Sequence, residues 1–168
     1  MKKIVVFVEE LYEDLELWYP KIRLEEAGHQ VIVAGPIAGH TYKGKHGYPC
    51  QAEITFKQAV SVVNAAVVIP GGFAPDRLRR SPEVLAVVKQ SFEAGKIIAF
   101  ICHAGWVCIS AKILKGKNAT STVAIKDDME NAGAIWKDQS VVVDGNLISS
   151  RNPGDLALFA KSVVDHLK

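Results

Sequence analysis

An α/β fold with a mainly parallel sheet is predicted by three features of this 168-residue sequence. Five short β-branched or aliphatic runs recur, each followed by a turn signal or a helical stretch, which is the rhythm of βαβ units. The first run, residues 4–8, is almost wholly apolar, as a central strand covered on both faces must be. A hydrophobic fraction of 49% in a chain of this length suits one domain, spanning 1–168, around one two-sided core.

The elements follow in order. Residues 15–27 place apolar side chains at helical spacing, and Gly28 ends the pattern with a residue suited to a left-handed cap. Residues 31–34 read as the second strand. Residues 35–51 carry four glycines and two prolines and read as a surface loop that can close as a hairpin, with Cys50 exposed on it. Residues 65–69 form a third buried strand, ended by Pro70, Gly71 and Gly72; the end of such a strand is where open α/β sheets bind ligands. Ser81, Pro82 and Glu83 are a cap, a first-turn proline and a first-turn acid, and they start a helix that runs to Ala94 and stops at Gly95. Residues 97–101 are the fourth strand, and Cys102, His103, Ala104 and Gly105 follow before another apolar helical stretch. Residues 140–143 and 147–149 flank Asp144, Gly145 and Asn146 as a hairpin, and residues 156–167 close the chain as an amphipathic helix.

Charge and leader signals exclude several functions. Twenty basic residues against eighteen acidic ones leave a formal charge of +2, spread without a stripe, so nucleic acid is not an expected partner. No run approaches the ~20 apolar residues of a membrane span, and the first apolar run is too short for a signal-peptide core. A cytoplasmic location is expected. Three cysteines, Cys50, Cys102 and Cys108, make no disulfide framework and suit a reducing compartment. His29, His40 and His46 lack ligand spacing, so neither a metal nor a cofactor is expected. Glu9, Glu10 and Leu11 occupy the turn where a dinucleotide site needs glycines.

The chemistry concentrates at AFICHAG, residues 99–105, where a cysteine stands between a strand and a helix in the manner of a nucleophile elbow. A free thiol with a pKa of about 8.5 is lowered by one to several units at a helix N-terminus or beside a cation. His103 is placed to serve as its general base. Spacing alone leaves open that Cys102 is simply a buried small hydrophobe. Cys108, further along the helix, reads as packing.

Separated motifs in order carry a further reading. Glu13-Asp14-Leu15-Glu16-Leu17 with Pro20, Gly44-Lys45-His46-Gly47, Pro70-Gly71-Gly72 with Ala74-Pro75-Asp76, and Ile101-Cys102-His103 are followed by Ile125-Lys126-Asp127-Asp128, Asn131-Ala132-Gly133, residues 141–146, Ser149-Ser150-Arg151 and Pro153 with Asp155-Leu156. Over nearly its whole length the chain resembles the ThiJ/PfpI superfamily, which includes PfpI-type intracellular proteases and the Parkinson-disease-associated protein deglycase.

The resemblance implies a flavodoxin-like three-layer sandwich with Glu16 beside Cys102 as a protonated carboxyl. It implies Glu13 as a second acidic candidate, and backbone N–H groups of Gly71 or Gly72 and of His103 as an oxyanion hole. Asp76 matches the carboxylate that orients a neighbouring subunit's histidine in the protease-like branch. It also implies a homo-oligomer, dimeric or hexameric. Three positions depart from the pattern: Ala104 replaces a glycine, Gly105-Trp106 is unusual, and Thr122 stands where the protease-like branch has a tyrosine. The expected function is cysteine-dependent attack on a reactive carbonyl, a small aldehyde or a glycated protein. A cysteine peptidase is the first alternative and a redox sensor or chaperone the second.

Overall fold

The computed structural model describes residues 1–168 and contains no ligand or partner chain. Its elements in chain order are β1 (Lys3–Phe7), α1 (Asp14–Glu26), β2 (Gln30–Gly35), β3 (Thr41–Lys43), β4 (Pro49–Gln51), β5 (Ile54–Thr55), α2 (Phe56–Val62) and β6 (Ala66–Ile69). They continue with α3 (Ala74–Leu78), α4 (Pro82–Glu93), β7 (Ile97–Ile101), α5 (Gly105–Ser110), β8 (Asn118–Ala119), α6 (Lys126–Asn131), β9 (Ile135–Trp136), β10 (Val141–Asp144), β11 (Leu147–Ser150) and α7 (Leu156–His166).

Seven strands form the central sheet in the order β10-β11-β7-β6-β1-β2-β5. All neighbours run parallel except the β10–β11 hairpin. The chain leaves β1 in one direction through α1 and later crosses back through α2 and α4, so right-handed crossovers put these helices on opposite faces. Accordingly α1 packs on α7 and α2 packs on α4. Between these layers β6 and β7 are buried along their whole length, which explains their uninterrupted apolar sequences.

Local signals set the helix boundaries. Ser81 caps α4 by accepting from the Val84 N–H, and Thr55 and Gln58 form a reciprocal capping box at the start of α2. Helix α1 begins one residue earlier than its apolar pattern indicates, because the Glu13 carboxylate accepts from the Glu16 N–H at 2.9 Å. The glycine-rich stretch does close as a hairpin, β3 against β4. Cys50, expected to be exposed there, is instead buried: its strand alternates exposed, buried, exposed, and Cys50 points inward with Tyr42 opposite it. The central core joins residues of both faces in one cluster. No helix is long and apolar enough to cross a membrane.

Lys112, just past α5, has φ +59° and an exposed side chain with no hydrogen-bond partner. A β-carbon in this left-handed conformation costs about 1 kcal/mol. Lys112→Gly is therefore expected to raise the melting temperature by about 2–4 °C in calorimetry.

Candidate active site

Strand β7 ends at Ile101, and Cys102 opens a single turn, Cys102–Ala104, that runs directly into α5. The turn forces Cys102 to φ +62°, a conformation that costs a non-glycine residue about 1–2 kcal/mol and persists only where neighbouring contacts hold it. Buried Ile101 precedes it and buried Ala104 follows, while the Thr122 N–H donates to the Cys102 carbonyl at 3.3 Å. Gly105 lets α5 settle on α6, since a β-carbon there would lie 2.6 Å from the Met129 sulfur.

Glu16 lies fully buried on the first turn of α1. Its Oε2 accepts from the Gly71 N–H at 2.7 Å, and its Oε1 has no hydrogen-bond partner. Gly71 is the contact point between this carboxyl and the cysteine: a β-carbon on it would fall 2.4 Å from Glu16 Oε2 and 2.8 Å from Cys102 Cβ. Burial, reinforced by the nearby Glu13 charge and partly offset by the Gly71 N–H, pushes the Glu16 carboxyl up to about 8. At neutral pH it carries a proton and can donate from Oε1.

The thiol departs from the sequence expectation. Burial first, and the Glu16 charge second, push Cys102 up to about 12, against the opposing pull of the His103 and Gly72 N–H groups and of Lys45. Because Glu16 is neutral at pH 7, its repulsion of a thiolate is then absent, but burial still keeps the resting sulfur protonated. The elbow's N–H groups lessen this effect without reversing it. Any reaction at this sulfur would need a base to take its proton, and His103 Nδ1 lies 3.3 Å from Sγ. Burial, then Lys45, lower the imidazole pKa, so His103 is neutral and able to accept.

The structure thus brings Cys102, His103, Glu16, Gly71 and Gly72 together. Of the two glycines expected near the sulfur, Gly71 gives its N–H to Glu16, and the Gly72 and His103 N–H groups face the sulfur. Glu13 caps α1 beside this group, with its own backbone N–H donated to the Gly71 carbonyl at 3.1 Å. Asp76 stands apart on α3, 61% exposed at the side chain and paired with Arg80 at 3.0 Å in its own chain. Cys108 is buried in the core.

Two residues not singled out from the sequence shape the site. Lys45 influences Glu16, Cys102 and His103 alike, and its motif Gly44-Lys45-His46-Gly47 was the available signal. Asp14 holds that loop in place, accepting from the His46 and Tyr48 N–H groups at 2.9 Å each. His46 consequently meets Glu13 and Asp14, three potential metal ligands within 4.8 Å that are invisible to spacing among histidines. Both Asp14 oxygens already hold backbone N–H groups, so the grouping is first a latch for the loop. A concavity of about 710 Å³ opens between Trp18, Tyr48, His46 and Glu13, beside the cysteine site and without Cys102 in its wall.

The model of the DJ-1/PfpI family matches residues 2–166. The chain belongs to the DJ-1/PfpI family. Among relatives, it is 45% identical over 166 residues to "Deglycase TK1284" of Thermococcus kodakarensis and 43% identical to "Deglycase PfpI" of Pyrococcus furiosus, with 99% of each chain covered. Among solved DJ-1/PfpI structures, it superposes on Drosophila melanogaster DJ-1beta with a TM-score of 0.93 at 30% identity, covering 99% of this chain and 90% of that one. It also matches a protein of Anabaena variabilis containing DJ-1/ThiJ/PfpI-like and ferritin-like domains, with a TM-score of 0.96 at 44% identity. The match covers 99% of this chain and spans about half, 48%, of that two-domain protein. The family's flavodoxin-like architecture is the fold described above.

A Gly71→Ala change places its methyl against both Glu16 and Cys102; a loss of stability of about 1–3 kcal/mol in urea unfolding is expected. Glu16 yields a pH prediction. Its pKa is raised on folding, so its contribution to stability is complete below the ordinary carboxyl range and is lost as pH rises toward and through about 8. Wild type should lose stability relative to Glu16→Gln across that window, and parallel denaturation curves for the two proteins from pH 5 to 9 would contradict the assignment.

Proposed function

We propose that the chain is a cofactor-independent cysteine enzyme that converts small reactive carbonyl compounds such as methylglyoxal to hydroxy acids, and that the same thiol chemistry acts on early glycation adducts of proteins. The observation that carries the reading is the pairing of a strained, protonated Cys102 with a buried, protonated Glu16 on one side and a neutral His103 on the other. Relatives named deglycases support the same class of chemistry.

The steps balance without an external oxidant. Sγ bonds to the aldehyde carbon while its proton passes to His103 Nδ1, and the carbonyl oxygen takes the Glu16 proton with support from the Gly72 and His103 N–H groups. The product is a hemithioacetal. The Glu16 carboxylate then removes the hydrogen from the former aldehyde carbon as a proton, and imidazolium protonates the ketone oxygen, giving an enediol. Glu16 returns that proton to the second carbon as His103 takes the hydroxyl proton from the first. The first carbon is thereby oxidised and the second reduced, leaving a lactoyl thioester. Water adds to it as the Glu16 carboxylate takes one of its protons, the C–S bond breaks, imidazolium returns a proton to sulfur, and lactic acid leaves, giving its carboxyl proton to solvent as lactate.

A peptidase reading draws less support, because its orienting carboxylate would be Asp76, an exposed side chain that pairs with Arg80 in its own chain and is one methylene shorter than a glutamate. A redox sensor relies on a thiolate at rest, and burial opposes one. Assembly into a dimer or hexamer belongs to the proposal, and exposed Leu15, Tyr19, Ile22 and Tyr48 supply an apolar face for it. Three free cysteines fit the cytoplasm as its location.

Purified protein supplied with methylglyoxal and no glutathione should release lactate, detected directly, and Cys102→Ser should reduce the rate by about 100-fold or more. Lactate production at equal rates by both proteins, or by neither, refutes the proposal. A glycated peptide incubated with an aldehyde scavenger distinguishes direct deglycation, which persists, from trapping of released aldehyde, which does not.

A further inference from the structure

The proposed reaction requires the His103 imidazole to keep Nδ1 turned to the Cys102 sulfur, 3.3 Å away. An imidazole with one weak contact to sulfur would rotate among orientations, most of which do not direct Nδ1 at the thiol.

Trp106 lies against this ring. It sits three residues beyond His103, on the same side of the turn, and the two rings meet edge to face at 5.3 Å with an interplanar angle of 62°. The indole is itself fixed. Its Nε1 donates to Asp128 Oδ2 on α6 at 2.8 Å, and the Arg79 guanidinium lies 5.5 Å from its ring centre. Arg79 in turn is tied to α5, its Nε donating to Ser110 Oγ at 2.9 Å. Gly105 makes the arrangement feasible by allowing α5 to approach α6 closely.

The geometry points to Trp106 as a positioning residue that holds His103 toward Cys102, with Asp128 and Arg79 as its anchors. It rests on the reading of Cys102 and His103 as the reacting pair. The indole touches the imidazole and acts through it, its aromatic edge restricting rotation of the ring.

The test is the rate at which iodoacetamide alkylates Cys102 at pH 7, followed by peptide-resolved mass spectrometry so that Cys50 and Cys108 do not contribute. This readout requires no turnover, so it is independent of whether methylglyoxal is a substrate. Trp106→Leu should lower the rate about 3- to 10-fold, Trp106→Phe should restore it to within about twofold of wild type, and Asp128→Ala, at an exposed position, should lower it about twofold to threefold. His103→Ala should lower it as much as Trp106→Leu, and the double variant should fall no further. Multiplicative losses in the double variant would show that Trp106 acts independently of His103 and overturn the inference. An unchanged or faster rate in Trp106→Leu, or an unchanged rate in His103→Ala, would also overturn it. Should Trp106→Leu fail to fold, Asp128→Ala with and without His103→Ala completes the same cycle.

Discussion

One buried hydrogen bond, from the Gly71 N–H to the Glu16 carboxyl, organises the site. It joins the end of β6 to the first turn of α1, and the pinched space around Gly71 leaves Glu16 and the Cys102 β-carbon as near neighbours. A carboxyl held there has lost its water and receives a single N–H in return, so its neutral form is favoured. The same seclusion keeps the thiol protonated. The proposed chemistry therefore begins from neutral partners, with each proton transferred to a group already in reach. The strain at Cys102 belongs to this arrangement, because a relaxed turn would carry the sulfur away from Gly72 and His103.

Much of the fold was legible because its signals are local. Continuous apolar runs identified β6 and β7, and Ser81-Pro82-Glu83 marked the start of α4 with its cap. The Thr55–Gln58 capping box could have revealed α2 in the same way, although it begins after a strand of only two residues. Cys50 was misplaced because its burial depends on how the hairpin folds back onto the body, a tertiary relation.

The site was readable to a different degree. The elbow at Cys102 is a local pattern, but Glu16 viewed only as a helix residue looks exposed; motif resemblance, not periodicity, marked it. The direction of the thiol's shift was not accessible, since the N–H donors at the turn are implied by sequence whereas the opposing burial is not. Which glycine donates to what was equally hidden until the position of Glu16 was known. Asp14 and Lys45 escaped for a related reason: their effect arises only when the β3–β4 loop is drawn onto the start of α1.

The order of the central sheet also bears on how the protein behaves when crowded. One margin is β5, a strand of only two residues, and the other is β10, which doubles back as the outer arm of a hairpin with Asp144 at its end. The apolar strands β1, β6 and β7 all lie inside these margins and are paired on both sides. These three sequences, prone to intermolecular strand pairing if exposed, are shielded for as long as the native sheet stays intact.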